Sequence, residues 1–528
     1  MQLREIQQPE PDGVRSPEID HDGAAAFVRP VRDYFRISFT VGVFVLLTFI
    51  AHKGWSDLDE SWDSLAYHMP FAALRAGVIS QQQYHLSKWI GGIYAGLPVL
   101  PDYLQGGLWR LTSRAQAANL VGLFALILVA AFFRLRHKIP FAYIVAGFLA
   151  VPVILIQTTS TDVDLFTNSF ATILLFSIFI AWIDPEQFTT ADTLVAVCCV
   201  TVVINSKSQF VVIGTWALLL LGIVVYANRH RLVLVRQQMS GPTWKRYLFI
   251  IVVLLAVGLA YVIPIRNLVR FHNPIYPVAL RIGPIQMQGQ FDSHGLGGEP
   301  IYLAHSPQWD RFVRSVVEYD AFDGRNPLWT NSQGDVKLDS RALRMGGTFS
   351  AWTLFNVFFF VILQRKVKHR YGWKPSVFIA LLIVSAAFMP ASQEIRYYMY
   401  WLMCLIALNL FLIEHGLNGP ERDVLRMVAV AAISSSLIFV LCSNGLRYVR
   451  ANGHSPQVLV TGANIAKQLE DMHLQDGEAV CLEGKMPRAF LYSPNFNAGV
   501  AAKLHYRIRE GWMPQDEAED CAGSRIVP

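Results

Sequence analysis

Charged residues are scarce in this sequence. Only 16% of its 528 residues are Asp, Glu, Lys or Arg, whereas soluble domains contain about 25%. Hydrophobic residues make up 53%, many of them in long apolar runs, and the mean hydropathy is +0.34. The composition therefore argues against a soluble globular protein and predicts a chain that folds in a lipid bilayer.

Several motifs of common enzyme classes are also missing. The sequence has no Walker loop, no Rossmann glycine pattern, no His-Glu-x-x-His and no Cys-x-x-Cys pair, so ATP hydrolysis and structural zinc are unsupported. The net charge of +6 does not indicate nucleic-acid binding, because the basic residues flank the apolar runs. The polar N-terminal stretch lacks a cleavage pattern, so we expect the first apolar run to be an uncleaved signal anchor.

Cysteine is rare as well, with six in the chain. Four lie in apolar runs and are expected to be small core residues: Cys198, Cys199, Cys404 and Cys442. Cys481 and Cys521 lie in a polar tail, where they could pair if the tail faces an oxidising compartment.

Eleven apolar runs approach or reach the roughly 20 residues that a helix needs to cross a bilayer. The sequence therefore predicts an α-helical polytopic membrane protein with about eleven transmembrane helices, followed by a small α/β domain. The runs are Ile37–Ala51, Ala118–Phe133, Tyr143–Gln157, Leu165–Trp182, Leu194–Asn205, Phe210–Ala227, Tyr247–Pro264, Phe349–Leu363, Val377–Met389, Tyr398–Ile413 and Val428–Cys442.

The basic residues predict the orientation. With the N-terminus in the cytoplasm, as Arg29, Arg32 and Arg36 suggest, every strongly basic short loop falls on the cytoplasmic side. The predicted parts are a cytoplasmic tail (1–36), a transmembrane domain (37–442) with outer loops 53–115 and 265–347, and an extracytoplasmic domain (443–528).

Local patterns predict the structure of the outer segments. Trp62–Ala76 has the spacing of an amphipathic helix, which could lie in the membrane interface. Gly91–Pro101 is turn-like because it holds three glycines and two prolines, and we expect little regular structure in 266–347. The tail should contain three strands and one helix. These are Gln457–Thr461, Ala479–Leu482 and Ala489–Tyr492 for the strands, and Asn464–Met472 for the helix.

The first outer loop carries a candidate catalytic acid. Four carboxylates lie within seven residues, from Asp57 to Asp63. Asp63 and Tyr67 are four apart and share one face of a helix, while His68 is rotated by about 100°. A carboxylate here could act as general base toward a hydroxyl or amine. The alternative is an ordinary interfacial loop whose acids, including Glu60, are solvated.

A second acidic motif is Asp162-Val-Asp164, which follows a run of Thr and Ser. One interpretation is helix capping by Ser160 or Thr161, with acids in the first turn favoured by the helix dipole. The other is a carboxylate pair that faces the same cavity as Asp63 and could hold a divalent cation.

Basic residues also occur on the predicted outer side, where they are disfavoured. Lys207 is either a snorkelling lysine or a ligand for an anionic lipid headgroup. Arg266, Arg270 and His272 suit phosphate binding, because arginine offers a planar fork of donors to phosphate oxygens. For each of these arginines, and for Arg396, the alternative is a simple ion pair.

The order of these motifs resembles that of the GT-C superfamily of membrane glycosyltransferases, in the bacterial branch akin to protein O-mannosyltransferases and lipid A aminoarabinose transferases. The resemblance covers roughly Trp62 to Ile413 and rests on a set of short motifs. They are Trp62-Asp63 with Tyr67-His68-Met69-Pro70, then Gln157 to Asp164, Lys207, Arg266-Asn267 through Phe271-His-Asn-Pro-Ile-Tyr-Pro277, and Arg396-Tyr397.

The resemblance implies an enzyme of the bacterial inner membrane that takes a sugar from a polyprenyl phosphate and transfers it, with inversion, on the extracytoplasmic face. An acid of the first loop would be the base, which is the position of Asp63, and Lys207, Arg266 and Arg396 would hold the donor phosphate. Many relatives have two adjacent acids in this loop, whereas Ser64 follows Asp63 here. Whether Asp63 works with Asp59, Glu60 or Asp162 therefore stays open.

Three other functions remain open at this stage: a transporter or flippase of lipid-linked sugars, an O-antigen-type polymerase or ligase, and a scaffold with envelope-assembly partners. A transporter would need polar residues deep within its spans. The apolar runs contain almost none, which favours chemistry at the outer surface.

Overall fold

The computed structural model of the chain describes residues 21–230, 242–282, 284–290, 306–317, 348–443, 445–482, 487–503, 505–511 and 521–527. The predictions for the first 20 residues, and most of the outer loop 265–347, lie outside the described residues.

The described part of the chain is dominated by α-helices. In chain order they are α1 (His21–Ser56), α2 (Met69–Arg75), α3 (Lys88–Gly96), α4 (Leu100–Thr112), α5 (Leu120–His137), α6 (Phe141–Leu149), α7 (Pro152–Gln157), α8 (Asp164–Ile183), α9 (Thr190–Ile204), α10 (Phe210–Ala227), α11 (Thr243–Phe271), α12 (Gln308–Val317), α13 (Thr348–Tyr371), α14 (Lys374–Ala387), α15 (Met399–Phe411), α16 (Gly419–Ser443), α17 (Pro456–Gly462), α18 (Ile465–Asp471) and α19 (Ala498–Ala501).

The chain is a polytopic helical membrane protein, and eight helices in its described part are long and apolar enough to cross a membrane. All eleven predicted runs are helical, but three do not form such a helix, so the count of eleven is not confirmed. Helices α9 and α14 have only 15 and 14 residues. The run Tyr143–Gln157 is split into α6 and α7, because Pro152 has no amide hydrogen to continue the first helix.

Two buried helices form the centre of the bundle. In the most apolar stretch of α8, 83% of the residues are buried inside the protein. In the span Ile395–Gly416, which contains α15, the corresponding share is 89%. Helix α1, by contrast, is mostly exposed and begins at His21. The predicted cytoplasmic tail 1–36 therefore includes helical residues.

The first outer loop and the tail share one parallel sheet. Its strands lie in the order β1 (Tyr84–His85), β5 (Arg507–Glu510), β4 (Ala479–Leu482) and β6 (Arg525–Val527). Strand β1 comes from the loop and pairs with β5, with Tyr84 opposite Ile508. The tail thus packs against the first outer loop. The sequence did not predict that these two segments would form one sheet.

Two of the three strands predicted in the tail are wrong. Gln457–Thr461 belongs to α17, because the side chain of Ser455 caps this helix and Pro456 occupies its first turn. Ala489–Tyr492 lies in a 3₁₀ turn. The strand Ala479–Leu482 and the helix over Asn464–Met472 are confirmed as β4 and α18.

Three expectations about the outer loops also need correction. Trp62–Ala76 is helical from Trp62, but most of its side chains are buried inside the protein, so it is not an amphipathic helix with one free face. Gly91–Pro101 is mostly helical, within α3 and the beginning of α4. The described parts of 266–347 contain a hairpin of β2 (Leu280–Ile282) and β3 (Ile285–Met287), as well as α12.

Candidate active site

Three carboxylates and two cations that are distant in sequence meet at one end of the bundle. We call Asp63, Asp162 and Asp164 the acidic cluster. The Arg396 Nη1 atom lies 2.6 Å from Asp63 Oδ2 and 3.7 Å from Asp162 Oδ2, and its Nε lies 3.9 Å from Asp164 Oδ2. The Lys207 ammonium forms an ion pair with Asp164. Asp162 and Asp164 thus lie beside Asp63, as one of the two interpretations of this motif expected, and Lys207 and Arg396 lie with them. Arg266, which was expected on the same face, lines a separate cavity.

Each of these residues lies at the end of an element. Asp63 precedes the helical turn that leads into α2, and Asp164 begins α8. Lys207 lies between α9 and α10, and Arg396 is in the 3₁₀ turn before α15. Helix ends can present polar groups to one another while the helices themselves keep their apolar contacts with lipid and core.

Asn168, which the sequence did not single out, joins two of these elements. Its Nδ2 donates to the backbone oxygens of Asp164 at 2.8 Å and Arg396 at 3.0 Å. Its Oδ1 accepts from the Tyr400 amide at 2.8 Å. This buried side chain therefore fixes the start of α15 against α8.

A π turn over Ser64–His68 changes the predicted relation between Asp63 and its neighbours. Pro70 has no amide hydrogen, and the Met69 amide bonds back five residues to Ser64. The wider turn brings position i+5 closer to the face of position i than an α-helix would. The charge of Asp63 accordingly acts on both Tyr67 and His68, and His68 Nε2 lies 3.9 Å from Asp162 Oδ1.

The neighbouring acids of the first loop have structural partners. Asp59 Oδ2 accepts from Ser160 Oγ at 2.7 Å and from the Thr161 amide at 3.1 Å, which ties the loop to the segment before α8. Glu60 points to the tail, where its carboxylate lies 2.6 Å from His454 Nδ1. The predicted role of Glu60 at the site is therefore not supported by its position.

The capping interpretation of the Thr-Ser run is wrong. The residue before α8 is Val163, and no side chain caps this helix. Ser160 Oγ instead accepts from the Asp162 amide at 3.0 Å. Asp162 and Asp164 therefore serve the ion cluster and not a helix cap.

The three carboxylates differ in exposure. The side chain of Asp63 is 20% exposed, whereas those of Asp162 and Asp164 are 1% and 2% exposed. Within the acidic cluster, only Asp63 is therefore open to a substrate.

Burial and charge set the protonation of these groups. Burial alone would raise the pKa of Asp63, but the charge and hydrogen bond of Arg396, together with the charge of Lys207, outweigh it and lower that pKa. Burial raises the pKa of Asp162 well above its usual value against the pull of Arg396, and Asp63 adds to this rise. Burial also lowers the pKa of His68 to about 4. At neutral pH Asp63 is therefore ionised and His68 is neutral.

Lys207 does not snorkel to the surface, because its side chain is only 13% exposed and pairs with Asp164. Burial lowers its pKa, and its Nζ lies 3.6 Å from the centre of the Tyr397 ring. The interpretation of Lys207 as a ligand for an anionic lipid headgroup stays a prediction.

A separate cavity of about 520 Å³ lies near this cluster and is lined by Arg75, Arg266 and Arg270. Arg75 is held by Asp102 at 3.0 Å and by the Tyr94 backbone oxygen at 2.9 Å. His272, predicted beside the arginines, is exposed in a left-handed conformation at the end of α11 and does not line the cavity. The sequence missed Arg75, although it lies seven residues after His68 on the same helical stretch.

The cavity and the ion cluster are separated by a few residues. Arg266 Nη2 donates to the Ala95 oxygen at 2.7 Å, and Asn267 Nδ2 donates to the oxygens of Gly96 at 2.7 Å and Tyr276 at 3.1 Å. The Tyr276 oxygen also accepts from Ser208 Oγ at 3.4 Å, next to Lys207. A Cβ at Gly96 would lie 2.1 Å from the Tyr276 ring, so this close packing requires glycine.

The sequence left open that Asp162 and Asp164 hold a divalent cation. The described part of the chain offers no further ligands for such a cation beside them. No group of three or more His, Cys, Asp or Glu side chains is placed there to hold a metal ion. Both carboxylates instead face Arg396 and Lys207.

Comparison with known proteins gives the fold. No protein-family model and no curated protein matches the chain. Two crystal structures of ArnT from Cupriavidus metallidurans do match: the apo state with a TM-score of 0.50, and the state bound to undecaprenyl phosphate with a TM-score of 0.51. Each is 11% identical and covers 94% of this chain, with 90% and 89% of the ArnT chain covered. The chain therefore has the GT-C fold that its motifs predicted.

Proposed function

We propose that this protein is an inverting glycosyltransferase that moves a sugar from a polyprenyl phosphate to an envelope lipid, glycan or protein. One observation carries the proposal: a partly exposed, ionised carboxylate lies at the same end of the bundle as an arginine-lined cavity. A base and a phosphate site side by side are what such a transfer requires. The structural match to ArnT bound to undecaprenyl phosphate supports this donor class.

The donor phosphate would lie between Arg266 and Arg270. Within the described residues neither forms an ion pair with a carboxylate, and no Asp or Glu lines the cavity. The Arg266 guanidinium retains donors for phosphate oxygens beyond those it gives to Ala95 and Asn267. This moves the phosphate-binding role implied for Lys207 and Arg396 to the arginines of the cavity.

The lipid chain of the donor would enter along α11. This helix exposes Val262, Ile265 and Val269 on its surface, while Ile263 lines the cavity. An apolar helix surface that leads to a basic cavity suits a ligand with a prenyl tail and an anionic head.

The reaction divides between the two sites. The Asp63 carboxylate takes the proton of the acceptor hydroxyl or amine, and the acceptor attacks the anomeric carbon of the sugar from the face opposite the phosphate. The bond from this carbon to the phosphate oxygen breaks, and polyprenyl phosphate leaves with the negative charge. Arg266 and Arg270 stabilise that charge as it develops, and Arg396 keeps Asp63 ionised before the transfer.

The disulfide between Cys481 and Cys521 supports an extracytoplasmic site. Disulfides persist in oxidising compartments such as the bacterial periplasm. The tail that carries the disulfide shares a sheet with the first outer loop, so both would face the periplasm of an inner-membrane protein whose N-terminus is cytoplasmic.

The test is transfer by the full-length protein in nanodiscs that contain a polyprenyl-phosphate sugar. Arg266→Gln combined with Arg270→Gln should lower kcat/KM at least about 100-fold, because two charge-assisted contacts to the phosphate are lost. Arg110→Gln is a control, since Arg110 is an exposed arginine of the first outer loop that does not line the cavity. Unchanged transfer by the double variant would contradict the proposal.

The same assay separates the alternatives. Mass spectrometry of the product would show one added sugar for the proposed reaction and many repeats for a polymerase. Movement of the donor across the bilayer without any transfer would identify a flippase and overturn the proposal.

A further inference from the structure

A second cavity lies at the opposite end of the bundle from the acidic cluster. It has a volume of about 170 Å³ and lies between the beginning of the first span, the end of α5 and the first half of α16. Helix α5 begins next to Asn119, whose Nδ2 donates to the Asp57 oxygen of the first outer loop. Its 18 residues therefore place the cavity about 27 Å from that loop.

Cations from three segments converge on this cavity. Arg36 comes from α1, Arg134 and Lys138 come from the end of α5, and Arg426 comes from α16. Arg426 is neutralised, because its Nε and Nη2 lie 2.8 and 2.6 Å from the Glu414 carboxylate. Arg426 therefore lines the cavity in a fixed position but adds no net positive charge to it.

The other cations remain available. Arg36 and Arg134 are exposed, and their side chains have no hydrogen bond or ion pair with any residue that the structure describes. Lys138 donates only to the Leu135 backbone oxygen, at 3.4 Å. Asp423 also lines the cavity, and its Oδ1 lies 3.4 Å from Arg426 Nη1. Four cations therefore face two carboxylates, Glu414 and Asp423, and the cavity has an excess of positive charge.

An apolar groove continues from this basic cavity along the bundle. Helices α1 and α16 both pack against α6, which forms the floor between them. On this floor the Tyr143 ring meets Phe39 at 5.6 Å, and Phe141 stacks on Phe44 at 5.7 Å. Exposed apolar side chains such as Phe44 and Met427 line its sides.

The usual placement of basic residues in membrane proteins explains part of this cluster of cations. Basic residues favour helix C-termini and cytoplasmic loops, which accounts for the presence of Arg134 and Lys138. It does not account for the convergence of unpaired cations from separate helices on one cavity with an apolar groove behind it. A cationic mouth on an apolar groove matches a molecule with an anionic head and acyl chains.

We propose that this cavity binds the phosphate headgroup of an anionic phospholipid, whose acyl chains lie in the groove over α6. Arg36 and Arg134 offer guanidinium donors to the phosphate oxygens, and Lys138 adds a third charge. On the predicted orientation the site faces the cytoplasmic leaflet, where basic cavities between transmembrane helices meet anionic headgroups.

The test measures lipid binding to the full-length protein in neutral detergent by native mass spectrometry and by the shift in Tm. The probes are phosphatidylglycerol, phosphatidylcholine and inorganic phosphate. Phosphatidylglycerol should bind and raise Tm, while the other two should not. Arg36→Gln with Arg134→Gln should weaken phosphatidylglycerol binding by about 30-fold.

The matched control is Lys368→Gln with Arg370→Gln. These two cations are exposed at the same end of the bundle, since the neighbouring Tyr371 hydroxyl donates to the His415 oxygen, but they lie outside the cavity. The control removes the same charge and should change the affinity less than twofold. If the Arg36 and Arg134 double variant does not fold, Lys138→Gln replaces it, with an expected loss of about fivefold.

Three outcomes would overturn the proposal. They are equal phosphatidylglycerol binding by the cavity variant and the wild type, equal binding of phosphatidylcholine, and binding of inorganic phosphate in place of the lipid. The last would indicate a site for free phosphate. None of these readouts depends on sugar transfer, so the proposal stands or fails separately from the proposed function.

Discussion

At the level of single residues, the site depends on how the charges in the acidic cluster are paired. Arg396 and Lys207 face Asp63 and Asp164, while burial raises the pKa of Asp162 well above its usual value. This pairing leaves Asp63 ionised, partly exposed and held in place. In the proposed reaction this carboxylate takes the proton of the acceptor.

Asp63→Asn should abolish transfer without unfolding the protein. An amide of the same size cannot take the proton of the acceptor, so kcat should fall at least about 100-fold. Glu60→Gln is the control, because Glu60 lies in the same loop but pairs with His454. Product formation in nanodiscs measures both. Equal activity of Asp63→Asn and the wild type would exclude Asp63 as the base.

His68 should make the stability of the protein depend on pH. Its pKa is about 4 in the folded protein and 6.5 in a free side chain, so between these values the unfolded chain binds more protons. The free energy of unfolding should therefore decrease as the pH falls from 6.5 to 4, by roughly 3 kcal/mol from this group. His68→Gln should reduce this decrease.

Thermal unfolding in detergent at pH 7 and pH 4.5 measures the effect. The difference in Tm between the two pH values should be smaller for His68→Gln than for the wild type. The same difference in both proteins would show that His68 is not held neutral by its surroundings.

At the level of elements, glycine sets how closely the helices of the first outer loop approach. Helix α4 packs against α2, which contains Ala72 and Arg75. A Cβ at Gly106 of α4 would lie 2.1 Å from the Ala72 backbone oxygen. This contact places Asp102 of α4 beside Arg75. The wall of the arginine-lined cavity therefore depends on a residue without a side chain.

Gly106→Ala should destabilise the protein by about 1–3 kcal/mol, because the added methyl group forces α4 away from a backbone atom. Gly107→Ala is a control in the same helix, where a Cβ would meet nothing within 4 Å. That change should be neutral or slightly stabilising, since alanine favours helices over glycine. Tm values measure both, and an equal effect of the two substitutions would contradict this account.

At the level of the whole molecule, the tail and the first outer loop form one unit. Buried Glu510 of β5 accepts hydrogen bonds from the Tyr84 hydroxyl at 2.9 Å and from the amide and hydroxyl of Ser87 at 3.2 and 3.3 Å. At the beginning of the loop, Asp57 accepts from the amides of Asn452, Gly453 and His454. The tail is thereby attached to the loop on both sides of Asp63.

Glu510→Gln should loosen this attachment. The amide loses the charge-assisted contacts and places a donor next to donors, which costs about 1–3 kcal/mol. Limited proteolysis should therefore cleave the tail faster than in the wild type. Arg507→Gln, on the exposed side of the same strand, should not change the cleavage rate. Equal cleavage of the two variants would show that Glu510 does not join the tail to the loop.

The fold could be predicted from the sequence further than the details of the site. Long apolar runs form helices wherever they occur, because only internal hydrogen bonds satisfy the backbone in lipid. Local cues were less reliable in the polar parts. The strand predicted at Gln457–Thr461 is a helix because capping by Ser455 outweighs strand propensity. The contact of Glu60 with His454 could not be predicted, because this partner lies in the distant tail.

The sequence by itself determined that this is a polytopic membrane protein with its polar chemistry at the helix ends, since hydropathy and helical hydrogen bonding act over short stretches. It also indicated that Asp63 and Asp162 lie on the same face as Lys207, Arg266 and Arg396. Only the tertiary structure decided which charges neutralise one another, and which arginines form no ion pair with a carboxylate among the described residues. Ion pairing depends on distances of a few ångströms between residues up to about 330 positions apart, and no local pattern specifies those distances.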